Sequence, residues 1–280
     1  MTFASAPERL LEAVGRFLEA DLRRRKARLT RALERDLERR LARIFRRQGT
    51  ALLRRFARIR GRFAPEESVP RGTTAITEAL RETDWLPLFD AAMLETIVTM
   101  RTTIHRATGL ALLAGGNTAI GELAIDASFT LKHPGAVAWL ETHAAERVTG
   151  IKAATRTEIA RILTAGTAEG KSYAAIAREL RTQFETFARS RAELIAVTEI
   201  GDAYEMGNRM VADTLTNVGL EVEKQWLTVG DRRVDPACDS NGVAGWIPIA
   251  EPFPAGAQQP TQHAGCRCTV EYRRKGSSFT

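Results

Sequence analysis

The chain has 280 residues, of which 44% are hydrophobic, 6% aromatic and 27% charged, and it carries a net charge of +7. That length suits one large domain or two smaller ones with a buried core. The composition argues against a membrane protein, since the best apolar run, Ala107 to Ala114, is far shorter than a span. An odd set of three cysteines argues against a disulfide framework.

The N-terminus lacks the charged, then apolar, then small pattern of a secretory signal, so the expected setting is a reducing cytosol. Scarce aromatics with abundant Ala, Leu and Arg point to a mainly helical chain. The charge is uneven. Residues 1–62 hold 18 Arg and one Lys against 7 acids, and the remainder is net negative. Such asymmetry marks an arm that meets something anionic, either nucleic acid or an acidic protein surface.

In chain order, Pro7 and Glu8 open a long helical pattern. Its apolar stripe includes Leu22, Leu29, Leu33, Leu37, Leu41, Ile44, Leu52, Phe56 and Ile59. The stripe advances about 3.7 residues per turn, which excludes a left-handed zipper. It predicts one long helix, or two broken near Gly49, lying on another surface. Arginines and one lysine fill the opposite face: Arg23, Arg24, Arg25, Lys26, Arg39, Arg40, Arg46, Arg47, Arg54 and Arg55. They read either as a solvated face or as contacts to DNA or an acidic partner.

Residues 63–72 read as a linker. Thr73 or Thr74 can cap a short helix to Arg81. Pro87 leads into a helix to about Leu113, ended by Gly115-Gly116-Asn117. Residues 120–129 are ambiguous. His133-Pro134-Gly135 starts a helix through Arg147, and a separate helix follows over Thr155–Thr164. Gly166 to Ser172 has the look of a phosphate-binding loop but lacks a first glycine and a preceding strand. It is better read as punctuation, with Ser172 capping a helix to Phe184. A longer helix over Arg189–Leu215 would bury Leu194, Ile195, Thr198, Ala203, Met206, Met210, Val211 and Leu215. On it Glu199 needs a partner, and Arg191 lies two turns back. Residues 221–229 and 268–272 alternate as strands that pair antiparallel. The fold class is therefore α+β: mainly helical, with long basic N-terminal helices and a small antiparallel sheet near the C-terminus. Three segments are expected: 1–62, 63–170 and 171–280. The tail after Tyr272 is expected to be mobile.

All the cysteine lies near the C-terminus: Cys238, then His263-x-x-Cys266-Arg267-Cys268. With Trp226-x-Thr228-x-Gly230-Asp231-x-Arg233-Val234 before it, this stretch resembles the C-terminal signature of the Mu F-like phage head morphogenesis family. The resemblance reaches upstream through Arg191–Ala196 and Thr198-Glu199, covering roughly 170–273. Where that family often has Cys-Pro-x-Cys, this chain has Asp235-Pro236-Ala237-Cys238, and where it usually has Arg before Thr-Glu, Val197 stands. The resemblance implies a minor head protein that acts in procapsid assembly near the portal vertex. It implies a portal, major capsid or scaffold partner, double-stranded DNA within reach, and no membrane. The expected location is the virion, with the host cytoplasm during assembly.

The cysteines and His263 supply the four ligands of a structural zinc site. On a straight strand Cys266 and Cys268 would point to opposite faces, so either a bulge brings both inward or only one binds. Asp235 is then the other candidate ligand. The alternatives are reduced, partly buried thiols, or a Cys–His nucleophilic pair without an orienting third group. His105, His133 and His143 lack metalloprotease spacing. With no complete active site, three functions stand against each other: a non-catalytic head component, a free nucleic-acid binder using the basic helix, and an enzyme or toxin-type effector carried on a head module.

Overall fold

In a computed structural model, residues 6–62 and 81–276 are described; side chains are described from Glu19 onward, except those of Gly61 and Arg62. The linker and short helix expected between 63 and 80 lie outside them, as do the apolar residues before Glu19 as side chains and the last four residues of the tail. Helices dominate: α1 Ala6–Phe56, α2 Glu82–Glu122, α3 Pro134–Ala168, α4 Tyr173–Thr186, α5 Ala192–Asn217 and α6 Pro236–Gly242. Three strands, β1 Val222–Leu227, β2 Trp246–Pro248 and β3 Thr269–Arg274, form one antiparallel sheet in the order β2-β1-β3. The expected α+β class holds. No described helix is long and apolar enough to cross a membrane.

The chain folds into two compact units built from interleaved segments. One takes residues 1–36, 106–140 and 194–280; the other takes 37–105 and 141–193. Neither coincides with the three consecutive segments read from the sequence.

The second unit is helical. Its stretch of α1 buries Leu37, Leu41, Ile44, Leu52 and Phe56, as the stripe predicts, and Phe45 beside them. Each such side chain contributes roughly 1.5–3 kcal/mol on burial. The helix does not break at Gly49. Phe184 of α4 packs there so closely that a Cβ would lie 2.8 Å from it. The glycine serves a crossing rather than an ending. α3 is also one helix where two were expected. Ser172 caps α4 as predicted, its Oγ accepting from Ala175 N at 3.3 Å, and Gly170 sits at φ +65° just after α3.

In the first unit, α2 passes through Gly115-Gly116-Asn117 instead of stopping. A Cβ on Gly115 would lie 1.8 Å from the Tyr204 carbonyl oxygen, and one on Gly207 would lie 2.1 Å from that of Leu112. The glycines let α2 and α5 approach backbone to backbone. Asn117 instead bonds the following loop, accepting from Phe129 N at 3.1 Å. This crossing fixes which face of α5 is inside. Ala196, Ile200, Ala203, Tyr204 and Val211 are buried, whereas Leu194 is 46% exposed. The buried face is thus rotated from the one read off the sequence. The rotation carries Glu205 into the core, fully buried.

The sheet lies in the same unit. Trp226 pairs with Val270 and Lys224 with Tyr272, so these four share a face, and all four are buried. β2 is only three residues long and α6 only seven, and neither was expected.

Candidate metal-binding clasp

Cys238, His263 and Cys266 come together, with one ligand atom from each within 4.8 Å of the others. The first is carried by α6. Asp235 caps that helix, accepting from Ala237 N at 2.9 Å, and Pro236 occupies its first turn. Cys266 follows a turn in which its N–H donates to His263 O at 3.1 Å. Helix α5 holds this turn in place. Thr198 Oγ1 accepts from Gly265 N at 2.8 Å, and Gly201 of the same helix lies beside the Cys266 carbonyl.

The donor set fits a tetrahedral soft metal. Thiolates about 2.3 Å from zinc stand roughly 3.8 Å apart across a tetrahedron, and Cys238 Sγ lies 3.8 Å from Cys266 Sγ. His263 Nδ1 lies 3.0 Å from Ala264 O. With the proton on Nδ1, donated to that carbonyl, Nε2 is the ligand nitrogen, an orientation common in metal sites.

Hydrogen bonding from Cys268 lowers the Cys266 thiol well below its usual range, so a thiolate forms here readily. Burial, then the charge on Cys266, raises Cys238, and donation to Cys266 raises Cys268. Cys268 precedes β3 rather than lying in it, so the alternation argument from a straight strand does not govern it. It is buried beside Cys266 but stands outside the three-residue group. Asp235 is spent on its cap and also stands outside. The five candidate ligands therefore reduce to a core of three with Cys268 alongside.

Two residues read as structural brace the clasp. Asp231 accepts from Arg267 at 2.7 Å and from Arg233 N at 2.9 Å. The Arg267 hydrogen bond holds its carboxyl below the usual range. That ties the loop after β1 to the residue between Cys266 and Cys268. Trp226 meets Phe253 edge-on at 5.1 Å. Its indole nitrogen is buried beside Cys268, with no hydrogen-bond partner of ordinary geometry among the described residues. A cavity of about 180 Å³ opens next to Cys266, lined in part by Arg23, Lys26, Arg31 and Arg267.

The Arg191–Glu199 pairing is not what occupies Arg191. Its guanidinium donates to Thr155 Oγ1 at 3.0 Å and Ile151 O at 3.1 Å and lies over the Phe187 ring. All these partners belong to its own unit. Glu199 is buried on α5 in the other.

The basic helix also departs from expectation. Lys26 is not available to a polyanion. It is 7% exposed and donates to Glu205 Oε1 at 2.7 Å and to Cys268 O. Glu205 further accepts from Thr269 Oγ1 at 2.7 Å and Val270 N at 3.1 Å. The buried pair thus fastens α1 and α5 to the start of β3. Sequence reasoning missed Glu205; a lone lysine among arginines was its one visible sign. Arg23 pairs with Glu19, Arg24 and Arg25 with Asp21, Arg46 with Glu185, and Arg54 and Arg55 with Glu95. Arg39, Arg40 and Arg47 are exposed, as are the paired Arg24, Arg25, Arg46 and Arg54, and neither Arg39 nor Arg40 is without an interaction of its own.

The segment that builds the clasp, and the helices that hold it, matches a known family. Residues 157–271 match the phage Mu protein F like family. The match starts upstream of the stretch quoted from the sequence and ends inside β3. It takes in all three clasp ligands, Cys268, Trp226 and Asp231. Neither a curated protein nor a solved structure matches the chain.

Proposed function

We propose that the chain is a minor head protein of a phage, acting without catalysis in procapsid assembly and head morphogenesis at the portal vertex. Its partners are the portal protein and the major capsid or scaffold protein, and it resides in the virion after assembly in the host cytoplasm. The observation that carries this reading is the family match over 157–271, which coincides with the clasp and its supporting helix. Cys238, His263 and Cys266 would hold a zinc ion, with Cys268 as the adjacent thiol. Bound there, the ion would fasten α6 to the segment before β3 and add folding energy locally.

Particle fractionation tests the proposal. Procapsids from phage-producing cells, separated on a gradient, should carry the chain in the portal-containing fraction. The Cys266→Ser variant should be depleted from it. Wild-type chain found only as free protein, in particles that otherwise assemble normally, would overturn the reading.

A further inference from the structure

The clasp holds one thiol more than its three-residue core, and a cavity reaches it. Cys238, Cys266 and Cys268 are free and buried. The sulfurs of Cys238 and Cys266 lie 3.8 Å apart, carried by residues 28 positions apart in the chain. Cys266 lines the open cavity of about 180 Å³ described above, and neither of the other two thiols is among the described residues that line it.

The cavity suits a small neutral guest. Water takes up about 30 Å³ in the liquid, so a molecule a few times that size fits. Three of the four cations on the walls already hold carboxylates: Arg23 that of Glu19, Lys26 that of Glu205 and Arg267 that of Asp231. Glu34 adds a negative charge of its own, and Ala27, Val197 and Val229 are apolar. A charged ligand therefore gains little here. A hydroperoxide needs no countercharge, and of the three thiols the cavity offers it Cys266 alone.

We propose that Cys266 and Cys238 form a redox pair, in which a small hydroperoxide entering the cavity oxidises Cys266 and Cys238 closes on it as a disulfide. The Cys266 sulfur attacks one peroxide oxygen, the O–O bond breaks, and Cys266 becomes a sulfenic acid as water, or the corresponding alcohol, leaves. The Cys238 sulfur then attacks the Cys266 sulfur; the S–S bond forms, the S–O bond breaks and a water leaves. Two thiols thereby lose two electrons and two protons, and the peroxide gains both. From the metal-held state the ion departs with its charge, and two solvent protons complete the waters. The sulfurs need to approach to about 2.05 Å. Cys238 can make that approach because it rides on α6, only seven residues long. Cys268 is less free: its carbonyl accepts from Lys26, and Thr269 beside it donates to Glu205 at 2.7 Å. The new bond replaces the ion as the tie between α6 and the segment before β3. Such a replacement suits a protein assembled in a reducing cytosol and released in a virion, and in that respect it rests on the head-assembly reading.

The test uses the full chain, as purified and after stripping by a chelator, treated with hydrogen peroxide and followed by intact mass, by a zinc indicator and by peptide mapping after alkylation. The mass should fall by about 2 Da, for the two hydrogens lost. Mapping should show Cys238 joined to Cys266 with Cys268 alkylated, and any metal bound at the start should leave in step with the disulfide. Dithiothreitol should restore both thiols. Cys238→Ser should instead accumulate the Cys266 sulfenic acid, trapped by dimedone. Ala27→Leu, which adds bulk to the cavity wall, should slow the reaction severalfold and leave the product unchanged; if it melts abnormally, Val229→Phe supplies the same comparison. Thiols that stay reduced, a bond between Cys266 and Cys268, or an unchanged rate in the cavity variants overturns the proposal. A chain that holds no metal before peroxide yet still forms the disulfide fails the metal reading of the clasp alone, and particle fractionation scores head assembly separately.

Discussion

Lys26 stands alone among the basic residues of 1–62 in being a lysine, and the fold buries it. An ammonium on a flexible stem can reach both a carboxylate and a carbonyl in a tight space, where a planar guanidinium would not fit as readily. Its partner Glu205 has four donors around it: Lys26, Thr269, Val270 N and, at 3.5 Å, Asn208. Truncating one partner strands the other charge in the core. Lys26→Ala should therefore destabilise the chain by about 3–5 kcal/mol, read as a shift in urea midpoint at constant slope. A loss under about 1 kcal/mol would mean that this pair does not fasten α1 to β3. The same scale shows why the site was only half legible. Clustered cysteines are visible in any reading of the sequence. Which thiols converge depends on a turn, a cap and a helix crossing that spacing alone does not encode.

At the level of elements, β3 carries a buried acid. Glu271 is 7% exposed, and burial followed by the charge of Glu19 raises its pKa to about 7, against which Arg273 works in the opposite direction. Its folded pKa exceeds its unfolded one, so the stabilising effect of the protonated form is complete below about pH 4.5 and is lost as pH rises through about 7. Across that window the wild type should lose about 3 kcal/mol from this group. Glu271→Gln should remove most of that slope and be the more stable protein at pH 8. Glu122, raised by burial and by Glu271, would leave a remainder. Urea unfolding at pH 5 and pH 8 provides the check; equal pH slopes in variant and wild type would contradict it. β1 and β3 were readable because they alternate, and their antiparallel pairing followed. β2 and α6 were too short to leave a period. The glycines at 49, 115 and 116 were read as stops from their local cost to a helix. They persist because Phe184, Tyr204 and Phe129 of the same chain approach where no Cβ fits.

For the whole molecule, the compact units are built from interleaved rather than consecutive segments. The basic helix is divided between two units, and much of its charge is spent on ion pairs within them. The family segment closes on a three-stranded sheet held by Lys26–Glu205 on one side and the cysteine clasp on the other. So small a sheet needs such fastening, since three short strands are near the lower limit of independent stability. The central claim is that Cys238, His263 and Cys266 close this module around a metal ion. Elemental analysis of protein purified without added metal, paired with thermal melting in a strong chelator, tests it most directly. The account predicts one zinc per chain, lost in Cys266→Ser, and a lower melting temperature once the ion is stripped. A metal-free protein whose melting is the same with and without chelator would contradict it.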